Sequence, residues 1–273
     1  MKKITQKLLM ALAVSIAAMP AMAIQTSTPT AFIPVPVSED APTRFFVGLD
    51  NANVFSGGKN GFQSDGKIGL MNLQLNLGLI YNVGMGLDVG FGLHGGAQSP
   101  YGMFFGDVGV SGSDRYGYML GGDVMIRYVA MLSDVFFAGL QGQVGYNYSS
   151  APGIPDSFYA APSPFTKSIN HFIPVVAGLV LGVGFENAIQ LYLFPAIELG
   201  QTGNYTNSAN HPVAAADLNT GLWKSAIGMQ MPVGIVFPMG YSKVIVQVKP
   251  RIANFQNKDS WGLDLYTGAS WDF

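Results

Sequence analysis

A chain of 273 residues with 11% charged and 49% hydrophobic side chains is poorly suited to life as a water-soluble domain, where about a quarter of residues are charged. Its 14 basic and 16 acidic residues give no positive surplus for nucleic acid, and no cysteine is present for disulfides, thiolate metal sites or lipid attachment. Beyond the first two dozen residues no run of about 20 apolar residues occurs, which excludes helical membrane spans. A backbone placed in lipid must then satisfy its hydrogen bonds between strands, and only a closed barrel does so.

The N-terminus carries Lys2, Lys3 and Lys7, then the apolar run Leu8 to Ala18, then the small-x-small site Ala21-Met22-Ala23. This pattern predicts a secretory signal peptide over residues 1–23, with export and cleavage near Ala23. Its removal leaves 11 basic against 16 acidic residues, a net charge of −5. Residues 24–43 contain Pro29, Pro34, Pro36 and Pro42 and are expected to form an extended periplasmic lead-in. Residues 44–273 are expected to form one barrel domain.

From there the pattern is alternation. Phe45–Val54 reads as the first strand. Met71, Leu73, Leu75, Leu77, Leu79 and Tyr81 share one face, with Asn72, Gln74, Asn76 and Gly78 on the other. Past a turn near Asn82, Leu87, Val89, Phe91 and Leu93 alternate with Asp88, Gly90, Gly92 and His94. Similar stretches include Tyr116–Tyr128, Phe136–Tyr148, Val175–Phe185, Ile189–Leu199, Trp223–Phe237, Val244–Ile252 and Trp261–Phe273. The expected fold is all-β: a transmembrane antiparallel up-and-down barrel of about ten strands. Twelve result if Met103–Val110 and Ile154–Phe165 also form strands. Short turns near Asn82, Ser133, Asn187 and Met239 alternate with longer loops, which puts both ends of the barrel domain in the periplasm. Aromatics gather at both ends of the strands, as membrane interfaces require.

The last segment, Trp261 to Phe273, places Leu263, Leu265, Thr267, Ala269 and Trp271 at alternate positions before a terminal Phe273. It resembles the terminal strand of bacterial outer-membrane β-barrel proteins. The resemblance implies that Trp271 and Phe273 form the signal read by the barrel-assembly machinery, and that the chain resides in the outer membrane among lipid and lipopolysaccharide.

Lumen parity carries charges of both signs. Asp50, Lys224, Lys249, Arg251 and Asp264 fall in the outer half on strands that become neighbours on closure; Asp88, Asp123 and Arg127 fall toward the other side. These eight residues are expected either to pair inside a filled lumen or to line a constriction that selects small solutes. His94, His171 and His211 lie on the outer side, with Ser99, Asp114 and Asp217 nearby, but their spacing matches no catalytic or metal-binding pattern. No cofactor is implied. The expected function is a non-enzymatic outer-membrane barrel, a narrow porin-like channel or a structural protein with a polar lumen. The alternatives are a surface-binding, adhesin-like barrel using its external loops and, third, a barrel hydrolase or protease.

Overall fold

The computed structural model describes residues 30–56, 68–100, 117–151, 168–184, 189–206, 224–255 and 258–273. Twelve strand segments follow in chain order: β1 (Thr43–Ser56), β2 (Ile68–Gly84), β3 (Leu87–Pro100), β4 (Gly117–Met131), β5 (Phe136–Ala151), β6 (Ser168–Gly184), β7 (Gln190–Leu193), β8 (Ala196–Thr206), β9 (Lys224–Gln230), β10 (Val233–Met239), β11 (Ser242–Phe255) and β12 (Lys258–Asp272). Each pairs antiparallel with its chain neighbour or with the strand across a break, and β12 returns to pair with β1. The sheet closes.

The twelve segments make ten staves. β7 and β8 both pair with β6, and β9 and β10 both pair with β11, so each pair is one stave interrupted at its middle. The interruptions fall at Phe194-Pro195 and Met231-Pro232, where proline has no N–H to give to the ladder. The proline carbonyls still accept: Leu179 N–H bonds Pro195 O at 3.0 Å and Phe194 N–H bonds Pro232 O at 2.8 Å. Side-chain parity runs through both breaks, with Tyr192, Phe194, Ala196 and Glu198 all buried and Leu191, Ile197 and Leu199 exposed. The ten-strand expectation is therefore met. The stretches weighed as extra strands, Met103–Val110 and Ile154–Phe165, lie outside the described residues.

The expected two-faced strands are present. Leu73, Leu75, Leu77 and Leu79 on β2 and Val89, Phe91 and Leu93 on β3 are all exposed, while Asn72, Gln74, Asn76, Asp88 and His94 are buried. An apolar exterior around a polar interior inverts the soluble pattern and suits lipid. Strands of 14 to 17 residues in β1–β6 exceed the roughly 9–11 needed to cross tilted. Tyr81, Tyr128, Phe136 and Phe273 face outward at the short-turn rim, and Tyr118 and Tyr146 do so toward the opposite end.

The β2–β3 turn spans two residues, Met85 and Gly86. Gly84, Met85 and Gly86 all take positive φ (112°, 53° and 75°), a run that two glycines make affordable and that leaves Met85 as the single strained side chain among the described residues. Gly84 N–H is held by Asn82 Oδ1 at 2.8 Å, and Met85 N–H by Glu39 Oε1 at 3.1 Å.

Inside, large inward side chains lie on inward glycines of the next strand. A Cβ on Gly78 would strike the Phe46 ring, one on Gly182 the Phe137 ring, and one on Gly234 the Tyr192 ring. Filling such a contact costs about 1–3 kcal/mol through overpacking. We predict that Gly182→Ala lowers the unfolding free energy of the barrel in lipid vesicles by that amount, read as a fall in its urea midpoint. Gly142→Ala is the control: its nearest neighbour would be Ile126 Cγ2 at 3.8 Å, and its midpoint should not fall.

Candidate functional site: the lumen and its N-terminal plug

The segment before β1 runs inside the barrel. Thr30, Ala31, Phe32, Ile33, Val35 and Val37 are each 9% exposed or less, although all precede the first strand. Residues 24–43 were expected to be an extended periplasmic lead-in; residues 30–37 instead occupy the lumen, with tight turns where Phe32 N–H bonds Thr30 O at 3.0 Å and Val35 N–H bonds Ile33 O at 2.9 Å. The reason is space and apolar surface. Inward Gly90 and Gly92 leave a gap in the wall that Phe32 and Thr30 fill. Phe32 also meets Phe46 edge-on, with ring centroids 5.7 Å apart. Together with Ile80, Met125, Val129, Val180, Tyr192 and Ile245, the segment forms an apolar core across the short-turn half of the bore.

A peptide in that position brings carbonyls with no ladder partner, and each must be satisfied. Wall side chains do this. Arg127 Nη1 donates to Ile33 O at 2.6 Å; Arg44 donates to Val35 O and Pro36 O, each at 3.0 Å; Asn82 Nδ2 donates to Val37 O at 3.2 Å; and Gln143 Nε2 donates to Thr30 O at 3.0 Å. These are mostly main-chain contacts. They recognise a peptide backbone more than its sequence.

The charges sort into three groups. Arg44 Nε and Nη2 make a bidentate pair with Asp272 at 2.6 and 2.8 Å, and Lys243 Nζ reaches the same carboxylate at 2.7 Å. Arg127 pairs with Asp88 at 2.5 to 2.9 Å, with Asp88 also accepting from Asn82. In the other half Lys249 lies 3.5 Å from Asp50 and 3.0 Å from Asp264, and Arg251 Nε lies 2.8 Å from Asp264. The sequence reading thus grouped Asp50, Lys249, Arg251 and Asp264 as the structure does. Lys224 lies on β9, but its side chain is outside the described residues.

Asp123 does not join Asp88 and Arg127 but meets His94 at 3.1 Å, and both hold Thr30. His171 is on the outer face, with Nδ1 2.5 Å from the Tyr146 hydroxyl, so the two described histidines lie on opposite sides of the wall. His211, Asp114 and Asp217 lie outside the described residues, as does the side chain of Ser99. Trp271 stacks on Phe45 at 5.9 Å, and Phe273 is 69% exposed at the rim. The residues missed by sequence reading as site members are Thr30, Arg44, Asn82, Gln143 and Lys243. Inward parity of Arg44 on β1 was a usable signal, since a buried arginine needs a partner.

Comparison with known proteins adds little beyond the barrel. No protein-family model matches the chain, and no curated protein matches it in sequence. Solved structures do. They include the outer membrane protease OmpT from Escherichia coli (10% identity, 91% of this chain and 100% of that one, TM-score 0.47). The β domain of the Bordetella autotransporter BrkA matches at 8% identity, 85% of this chain and 100% of that one, TM-score 0.48. An outer membrane channel from Pseudomonas putida F1 matches at 14% identity, 92% of this chain and 100% of that one, TM-score 0.45.

Breaking one half of a buried ion pair costs about 3–5 kcal/mol, whereas replacing both halves with apolar groups is often neutral. We therefore predict that Asp88→Asn, which strands Arg127 at 1% exposure, lowers barrel stability by about that much in urea unfolding. The double variant Asp88→Asn, Arg127→Met should recover most of the loss.

Proposed function

We propose that the chain is a solute conduit of the bacterial outer membrane, non-enzymatic, that is closed by its own N-terminal segment. The observation that carries this reading is the lumen position of residues 30–37. A barrel needed only as a structural element can fill its bore with inward side chains. Here the wall instead presents Gly90 and Gly92 to the lumen, and a covalently attached peptide fills the gap. A peptide attached at one place and held mainly by its carbonyls can leave without unpairing any strand of the sheet.

The two halves of the bore differ in character. The outer half is filled by the buried polar side chains of Asn72, Gln74, Asn76, Asn147, Ser149 and the Asp50–Lys249–Asp264–Arg251 cluster, which must part for a solute arriving from outside. The short-turn half is apolar and blocked by the segment. Exposed Phe273 at the rim, with Trp271 stacked on Phe45, supports reading the last strand as an assembly signal, and the outward aromatics support contact with lipid and lipopolysaccharide headgroups.

The test is solute leakage from proteoliposomes. The intact chain should hold small neutral solutes inside. A variant lacking residues 30–37 should release them, and Arg127→Met, which keeps chain length but frees Ile33 O, should leak more slowly than the deletion. If liposomes carrying the folded deletion variant and Arg127→Met both stay sealed, the conduit reading fails and a closed barrel acting through its external loops replaces it.

A further inference from the structure

Thr30 is held unlike the rest of the segment. Its neighbours touch the wall through carbonyls and apolar side chains, but Thr30 also engages it through its N–H and its hydroxyl. Its N–H donates to Asp123 Oδ2 at 2.8 Å and its hydroxyl donates to the same oxygen at 2.6 Å. With that hydroxyl proton committed, the 2.9 Å contact to His94 Nδ1 requires the imidazole to donate. The carbonyl accepts from Gln143 Nε2 at 3.0 Å, and the methyl group sits against Gly92.

Three wall residues, from β3, β4 and β5, therefore recognise an amine nitrogen, a hydroxyl on the adjacent carbon and a carbonyl. Thr30 satisfies that pattern incompletely. Asp123 is a fully buried carboxylate facing a neutral amide N–H, and its Oδ1 has no hydrogen-bond partner; neither does His94 Nε2, although both side chains are 0% exposed. Hydrogen bonds from a charged donor to a carboxylate are about twice as strong as neutral ones. A molecule with an ammonium group where Thr30 has an amide would complement Asp123 better than Thr30 does.

We propose that His94, Asp123 and Gln143 form a binding site for a small amino alcohol carrying a neighbouring carbonyl, and that Thr30 occupies it as a built-in surrogate. Resting on the plugged-conduit reading, the site would let such a solute displace Thr30 and start the withdrawal of the segment. The wall supplies selectivity on three counts: Asp123 for the ammonium and hydroxyl, His94 for the hydroxyl oxygen, and Gln143 for the carbonyl. The open face of Gly92 takes the small alkyl group.

L-threoninamide presents all of these groups and is the probe. Because the chain has no cysteine, Ala31→Cys supplies a single thiol next to the site. In the full chain in proteoliposomes, saturating L-threoninamide should raise the rate of maleimide modification at that thiol by about tenfold, a displacement of Thr30 worth one decade in the equilibrium. L-alaninamide, lacking the hydroxyl, should not. Independently, equilibrium dialysis should show that Thr30→Gly, which vacates the hydroxyl pocket and leaves the wall intact, binds L-threoninamide about tenfold more tightly than the intact chain. Equal modification rates with the two amides, together with no binding to Thr30→Gly, would overturn the proposal. Binding without solute leakage would keep the site and reject only the conduit.

Discussion

In lipid a sheet cannot have an edge, because each unpaired N–H or carbonyl has no water to turn to. The closure of β1 on β12 is the constraint on which everything else in this molecule depends. It is made by a continuous antiparallel ladder from Arg44–Asp272 to Ser56–Ser260, and finished at the rim by Thr43 and Phe273 exchanging backbone hydrogen bonds at 2.8 and 3.1 Å. The first side-chain pair of that seam, Arg44 with Asp272, also clamps Val35 O and Pro36 O of the plug. One arginine thus joins the seam to the bore. Until β12 reaches β1, Arg44 lacks the Asp272 carboxylate that fixes its guanidinium beside the plug.

Closure creates an interior that must be filled, paired or wet. This barrel uses three means at three levels. At the rim, ions pair across the seam. Above it, apolar side chains and residues 30–37 pack as in a soluble core, with rings lying on inward glycines. In the outer half, Gln74 donates to Asn76 at 3.2 Å, and Asp50 and Asp264 pair with Lys249 and Arg251. The last arrangement is what a filled polar lumen demands, since a single unpaired charge at such burial would be costly.

Much of this was legible from sequence. Parity on β2 to β5 read directly as lipid face and lumen face, because period two survives any error in strand ends. The ten staves were legible too, even though Pro195 and Pro232 interrupt pairing, because alternation continues through both. The plug was not. Thr30 to Val37 is short, proline-containing and apolar, and nothing local distinguishes a lumen peptide from an extended leader. Its burial depends on Gly90 and Gly92, some 60 residues away in sequence. The partners of Asp123 were not legible for the same reason: parity says which residues face inward, but only register says which inward residues meet. Asp50, Lys249 and Asp264 were grouped because they flank the seam that closure necessarily makes.

The central claim is that residues 30–37 lie inside the barrel, and a crosslink reads it most directly. A Cβ built on Gly92 falls 2.9 Å from Thr30 Cβ, so Thr30→Cys with Gly92→Cys should form a disulfide once the segment backs off by roughly 1 Å to the usual Cβ–Cβ separation of about 3.8 Å. In whole cells under mild oxidation, the folded barrel of the double variant should lose both free thiols in a single intramolecular bond. Each single variant should keep its thiol. Two thiols that stay free in the folded double variant, with the Thr30→Cys thiol reacting at the rate of an exposed periplasmic residue, would contradict the plug and return the segment to the periplasm.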